Sequence, residues 1–152
     1  MTNPAIDIIA IGDAIVDVIA TCDDAFIAAH NLPKGGMQLL DVESADLLYA
    51  AMGNARETSG GSAANSMAGI AAMGGRAGFI GQIADDQLGD IFRHDMQALG
   101  VRFDTPALER SILSGKAGPP TGRCLILVTP DAQRTMNTSP GASHLLRPEV
   151  LD

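Results

Sequence analysis

Residues 59–101 read SGGSAANSMAGIAAMGGRAGFIGQIADDQLGDIFRHDMQALGV, and this stretch decides the fold. It starts with a glycine-rich turn and continues into a helix of small residues that ends at Gly74 and Gly75. An apolar run at 77–83 then predicts a short strand, because it contains few charged residues and follows a glycine turn. The order turn, helix, turn, strand is typical of proteins that layer helices on a sheet.

A clear amphipathic helix follows that strand. Asp85 and Asp86 precede the helical pattern, and Gly100 is expected to stop it. One face carries the apolar residues Leu88, Ile91, Phe92, Met96 and Leu99. We expect the two acids to be solvated capping residues, since a carboxylate is favourable at the positive end of a helix dipole.

The flanking segments extend the same alternation of strands and helices. Apolar runs predict strands at 6–11, 15–20 and 124–128, and residues 41–51 predict a helix capped by Asp41 or Ser44. The whole chain therefore predicts an α/β layered fold.

Composition excludes several classes of protein. The 152 residues are 46% hydrophobic and 18% charged, so the chain can bury a core and is not a disordered tail. The formal charge of −8 argues against nucleic acid as a partner and against a polybasic membrane-surface role. No window reaches the roughly 18 apolar residues that a membrane span needs, so we expect no membrane partner.

Common motifs of other enzymes are also missing from the sequence. Cys22 and Cys124 lie far apart, which favours neither a disulfide framework nor a zinc site and indicates a cytoplasmic location. There is no GxxxxGK[ST], no GxSxG, and no GxGxxG after the first strand. The three histidines show no spacing that predicts a metal site.

Two features remain as candidates for ligand binding. Asp17 interrupts an apolar strand in GDAIVD (12–17), where a charge is costly unless it has a partner or faces a cleft. Gly60, Gly61 and Asn65 lie in SGGSAAN, a glycine-rich turn that leads into a helix and lets a ligand approach the backbone. An Asp and an Asn together can bind vicinal hydroxyls, while a capping Asp is the alternative interpretation.

The two segments together resemble the ribokinase-like (PfkB) sugar and nucleoside kinases. The glycine pair, the asparagine four residues on, FIGQIADDQLG and the helix ending in LGV match that family in order. PTGRCLILVTPDAQRTMNTSPGAS (120–143) is similar to the adenosine-kinase-like branch. The resemblance runs from about Ile6 to Ser143.

The family's fold is an αβα sandwich with a mostly parallel central sheet and a small β-sheet lid over the sugar site. By similarity, residues 6–11 begin the central sheet. Segments 16–22, 37–41 and roughly 101–111 would supply lid strands, and such lids sometimes pair between subunits to form a homodimer.

The resemblance also implies roles for individual residues. Asp17 matches the Asp that holds sugar hydroxyls, and Gly61 with Asn65 completes the hydroxyl site beside Gly60. Arg134 matches an Arg that reaches the transferred phosphate. Further pocket residues implied by the resemblance are Asp13, Met37, Gln38, Ser62 and Cys124.

The implied activity is ATP-dependent phosphorylation of a primary hydroxyl, with Mg²⁺ bridging the nucleotide phosphates. Adenosine or a related nucleoside is the first expected acceptor, and ribose, fructose and their relatives are alternatives. The family's GAGD segment, with its catalytic base and anion hole, and its nucleotide-binding loops are expected beyond Asp152. We therefore expect residues 1–152 alone to be inactive and to contain no catalytic or metal residue; a short sugar- or nucleoside-binding homologue is the remaining alternative.

Overall fold

The structure of the chain is a computed structural model that describes residues 5–110 and 118–151. Its strands are β1 (Ile8–Ile11), β2 (Ile15–Thr21), β3 (Met37–Leu39), β4 (Arg56–Gly60), β5 (Ala77–Ile80), β6 (Gly122–Val128) and β7 (Arg134–Ser139). Its helices are α1 (Asp24–Ala29), α2 (Val42–Ala51), α3 (Ser62–Ala72) and α4 (Gln87–Ala98). Two 3₁₀ turns, Gly141–Leu145 and Pro148–Leu151, follow β7. The predicted α/β fold is confirmed.

The first sheet pairs β1 with β5 in parallel, and α3 packs against both strands. The segment after α4 runs along the same layer, because Arg102 bridges Gly78 and Leu108 bridges Ala84, both in the parallel sense. Residues 101–110 therefore lie beside β5. The prediction that 101–111 supplies a lid strand was wrong over these described residues, and 111 lies outside them.

The second sheet has five strands in the order β3-β7-β6-β2-β4. β2 pairs in parallel with β6 and antiparallel with β4, while β7 joins β6 antiparallel and β3 parallel. The predicted segments 16–22 and 37–41 both contribute strands to this sheet. β2 lies between β6 and β4, so its side chains have neighbours on both sides.

Three of the helices begin with an aspartate whose side chain accepts a backbone N–H of the first turn. These capping residues are Asp23, Asp41 and Asp86. Each satisfies one of the N–H groups that a helix start leaves without an internal partner. Asp41 is the cap predicted from the sequence, and Asp86 caps the amphipathic helix α4.

The core packs α4 against both sheets. Phe79, Phe92 and Phe103 are almost completely buried, with ring centroids 5.3–5.9 Å apart. Leu88 and Met96 of the predicted apolar face are also buried, but Leu99 is 48% exposed. Leu99, which the sequence places on the same apolar face, is exposed because it is the C-cap of α4 and lies past the last helical residue.

Over the described residues, no helix has both the length and the apolar character that crossing a bilayer demands.

Candidate functional site

Asp17 lies in the middle of β2 with its side chain half-buried. Its cross-strand neighbours are Thr58 on β4 and Cys124 on β6. Among the described residues, no hydrogen bond or ion pair reaches its carboxylate, and burial raises its pKa above the ordinary value. A carboxylate that loses water without gaining a protein partner is costly, so this side chain is suited to bind a donor from outside the chain.

Gly60, at the end of β4, makes room for that carboxylate. A Cβ at this position would lie 2.5 Å from Cγ of Asp17, which is closer than two carbon atoms can approach. Any larger residue would force the carboxylate to move. The glycine therefore leaves the space that the Asp17 carboxylate occupies.

Gly61 turns the chain from β4 into α3. Its φ is +90°, in the left-handed region that favours glycine, and a Cβ would lie 2.8 Å from the carbonyl oxygen of Asp13. It is the N-cap of α3 and offers no side-chain cap, so the first N–H groups of the helix have no capping side chain. The N-terminal end of α3, which is the positive end of its dipole, therefore follows directly after Gly60, the glycine next to Asp17.

Ser62 and Asn65 are exposed on the first turn of α3. The N–H of Asn65 donates to the carbonyl of Gly61, which starts the helix. Asp13 is exposed in the β1–β2 connection, and its backbone contacts Gly61. The structure thus brings Asp13, Asn65 and the two glycines to the end of the sheet where β2 begins, two residues before Asp17.

Cys124 lies beside Asp17 on the same face of the sheet. Its thiol accepts a hydrogen bond from Oγ1 of Thr138 at 3.3 Å. Burial raises the pKa of Cys124, and the negative charge of Asp17 adds to that increase. The thiol is therefore a neutral, weakly polar surface next to the carboxylate.

The chain matches the family model described as pfkB family carbohydrate kinase over residues 6–152. The chain belongs to the PfkB family. A solved adenosine kinase from Sinorhizobium meliloti is 49% identical with a TM-score of 0.82, and the match covers 97% of this chain and 43% of that one. A probable sugar kinase from Rhizobium etli is 46% identical with a TM-score of 0.80, at 95% and 42% coverage.

A fructokinase from Klebsiella pneumoniae is 29% identical over 120 residues, which cover 78% of this chain and 37% of the relative. This PfkB chain therefore spans less than half the length of the kinases that it matches. The resemblance drawn from the sequence is confirmed at the level of the family and of the ribokinase-like fold.

Two of the predicted pocket residues lie on β3, and they face opposite ways in this PfkB chain. Met37 is 61% exposed on the Asp17 face of the sheet, where it pairs with Met136. Gln38 pairs with Asn137 and donates to its side-chain oxygen at 2.7 Å on the other face. Because successive residues of a strand alternate between faces, Gln38 is wrongly grouped with Asp17.

Arg134 opens β7 and is exposed. It pairs with Val128, four residues beyond Cys124 along β6, so it lies about 13 Å along the sheet from the level of Asp17. The structure places it on the same face but does not bring it into contact with Asp17.

The sequence interpretation missed two strands that border the site, β4 and β7. Both are rich in polar residues, RETSG and RTMNTS, so no apolar run marks them. Residues 135, 137 and 139 of β7 are buried in alternation, but they are Thr, Asn and Ser, so this burial leaves no apolar alternation in the sequence. These strands contribute Thr58 next to Asp17 and Thr138 next to Cys124.

Proposed function

We propose that this chain is the acceptor-binding part of a cytoplasmic, ATP-dependent phosphotransferase acting on the primary hydroxyl of a nucleoside or sugar. The half-buried Asp17 carboxylate, which has no protein partner among the described residues, carries this proposal. Ligand hydroxyls that donate to it would offset the cost of its burial. A neutral polyol fits this carboxylate better than an anion, which it would repel.

The start of α3 completes the binding of hydroxyls. Asn65 can donate and accept at once, and Gly61 lets a ligand approach the backbone closely. Ser62 and Asp13 supply further polar contacts at the same end of the sheet. Two adjacent hydroxyls of a ribose would then lie between the carboxylate of Asp17 and the first turn of the helix.

The surface next to Asp17 favours a nucleoside over a free sugar. Ile15, Cys124 and Ile126 are buried on that face, with Met136 packed against them. A purine base could lie on such an apolar surface, whereas a free sugar would leave it unused. Similarity to the S. meliloti adenosine kinase supports adenosine as the first acceptor to test.

A sugar kinase is the second candidate function. The fructokinase relative supports it, and the hydroxyl-binding residues would serve a furanose equally well. The two candidates differ in whether the apolar surface beside Cys124 contacts the ligand.

This chain supplies binding rather than proton transfer in the proposed reaction. The base that takes the proton from the acceptor hydroxyl is expected in the remaining length of the family, and Arg134 is proposed to contact the transferred phosphate. Over the described residues, no group of three or more His, Cys, Asp or Glu could hold a metal ion.

The first measurement is the intact mass of the purified protein, followed by an ATP-consumption screen of the complete protein over nucleosides and sugars. Transfer to adenosine at the lowest KM would support the nucleoside proposal, and a lower KM for fructose or ribose would favour the sugar kinase. Tight nucleoside binding without ATP consumption would indicate a non-catalytic homologue instead.

Asp17→Asn tests the residue that carries the proposal. We expect kcat/KM for the acceptor to fall by about 30- to 150-fold, because a buried polar contact is lost. This decrease corresponds to a loss of about 2–3 kcal/mol in transition-state stabilisation. The KM for ATP should stay unchanged. Asp90→Asn, an exposed acid on α4, is the matched control and should behave like the wild type; equal kinetics for the two variants would remove Asp17 from the site.

A further inference from the structure

Asp86 differs from the other capping aspartates of this chain. Within the described part of the chain, Asp23 accepts from Phe26, and Asp41 accepts from Ser44 and Glu43, each within its own helix. Asp86 accepts from Gly89 in the same way, but it also binds Thr121, which is 35 residues away in the sequence. A cap needs only the first of these contacts, so the others serve another purpose.

Both oxygens of the Asp86 carboxylate are used. Oδ1 accepts the N–H of Gly89 at 2.9 Å and the hydroxyl of Thr121 at 2.7 Å. Oδ2 accepts the N–H of Thr121 at 2.9 Å, with the guanidinium of Arg110 3.8 Å away. The side chain is only 14% exposed, so the expectation of a solvated cap was wrong for Asp86.

Thr121 extends this contact to the first sheet. It is completely buried, and its hydroxyl oxygen accepts the N–H of Ala84 at 2.9 Å. Ala84 follows β5, while Thr121 directly precedes β6. The Asp86–Thr121 pair therefore joins the start of α4, the layer of β5 and the start of the five-stranded sheet.

β6, the strand that follows Thr121, leads directly to the proposed acceptor site. Gly122 pairs with Ile15, and two residues later Cys124 pairs with Asp17. A Cβ at Gly122 would lie 2.6 Å from Cδ1 of Ile15 and 2.6 Å from the carbonyl oxygen of Pro140, so only glycine fits where β6 starts beside β2.

The helix α4 also binds β4, the strand on the other side of β2. Oδ2 of Asp95, near the end of α4, accepts the N–H of Ser59 at 2.8 Å. Ser59 precedes Gly60, the residue beneath the Asp17 carboxylate. α4 thus holds both strands that flank Asp17, through one carboxylate near each end of the helix.

We propose that Asp86 is a positioning residue for the acceptor site, which it stabilises by fixing β6 and Cys124 relative to Asp17. The inference rests on the proposed role of Asp17 in binding the acceptor. Asp86 contacts no acceptor itself; it acts through Thr121. Its loss should weaken binding of the acceptor and leave binding of ATP unaffected.

The variant Asp86→Asn separates the contact between Asp86 and Thr121, which we call the tether, from the capping contact between Asp86 and Gly89. Asparagine is a good N-cap, so its amide oxygen can keep the bond to Gly89. Its NH₂ group has only donors and would then face the N–H of Thr121, so the backbone contact to the residue before β6 is lost, while the hydroxyl of Thr121 can still donate to the amide oxygen. The matched control is Asp41→Asn, the same change at a cap whose side chain accepts only within its own helix.

In the complete protein, we expect Asp86→Asn to raise the acceptor KM by about tenfold or more, because small misplacements of binding groups are costly. The KM for ATP and the kcat at saturating acceptor should stay within about twofold of wild type. Thr121→Val should raise the acceptor KM in the same way, whereas Thr121→Ser, which keeps the hydroxyl, should have wild-type values. The double variant that combines Asp86→Asn with Thr121→Val should have an acceptor KM no higher than either single variant. An unchanged acceptor KM, or an equal change in both KM values, would overturn the inference.

Hydrogen exchange separates this inference from the proposed function. If the wild type phosphorylates no acceptor, the proposed function fails, but the tether still predicts faster amide exchange at 122–124 in Asp86→Asn than in wild type or Asp41→Asn. Exchange that is equal in all three proteins would show that Asp86 does not hold β6.

Discussion

The two faces of the five-stranded sheet are built for different purposes. On the face that packs against the helices, which we call the core face, Val16, Val18 and Leu125 have no exposed surface. On the Asp17 face, Ile15, Cys124 and Ile126 form a small separate cluster. At the β3 edge of that face, Met37 and Leu39 are 61% and 68% exposed.

Polar groups show the difference most clearly. On the core face, the buried amide of Asn137 donates to the carbonyl of Leu125 and accepts from Gln38. On the other face, Asp17 is half-buried and has no such partner among the described residues. Folding satisfies the first group by itself, whereas Asp17 keeps a half-buried carboxylate for which we propose a ligand as the partner.

The largest expected effect comes from comparing two variants, Leu125→Ala on the core face and Cys124→Ala on the Asp17 face. Leu125 is completely buried on the core face, so its truncation should lower the free energy of unfolding by about 2–5 kcal/mol. Cys124→Ala, next to it on the other face, should cost roughly 1 kcal/mol but raise the acceptor KM. Denaturant unfolding and steady-state kinetics of the complete protein measure both; equal losses of stability would mean that the faces do not differ.

Gly60→Ala should give the next largest effect. The added methyl would lie 2.5 Å from Cγ of Asp17, so we expect a loss of about 1–3 kcal/mol in stability and weaker acceptor binding. Gly69→Ala on α3 is the control, because a Cβ there meets nothing within 4 Å, and it should stabilise by roughly 0.5–1 kcal/mol. A Gly60→Ala protein with normal acceptor kinetics would show that the carboxylate can move freely.

Asp17→Asn should give the smallest effect on stability, in the opposite direction. Burial raises the pKa of Asp17, so the folded state holds this proton more tightly than the unfolded state does. Stability is therefore lost as pH rises from the ordinary aspartate pKa through the raised one, and the loss persists at neutral pH. The variant should lack this loss and be slightly more stable at pH 7. Unfolding curves from pH 3 to 7 that run parallel for the two proteins would contradict the assigned cause.

The sequence predicted those parts of the fold that depend on local pattern. Apolar runs predicted β1, β2 and β6, and the 3.6-residue spacing with an aspartate cap predicted α4. The polar strands β4 and β7 were missed because their burial comes from neighbouring strands rather than from their own composition. Residues 101–110 were assigned to the lid by similarity, whereas their pairing with residues 78 and 84 depends on tertiary contacts that the sequence does not show.

Asp17, Gly60, Gly61 and Asn65 were named from the sequence by residue type and motif, as a costly charge in a strand and a glycine-rich turn before a helix. These features follow from local chemistry, because a charge in an apolar strand and a glycine at positive φ are costly or rare in any fold. Only the tertiary structure decided that Gln38 faces the core, that Thr58 and Thr138 flank the site, and that Asp86 binds Thr121. Those facts depend on strand register and on contacts between residues 14 or more positions apart, which a local pattern in the sequence does not determine.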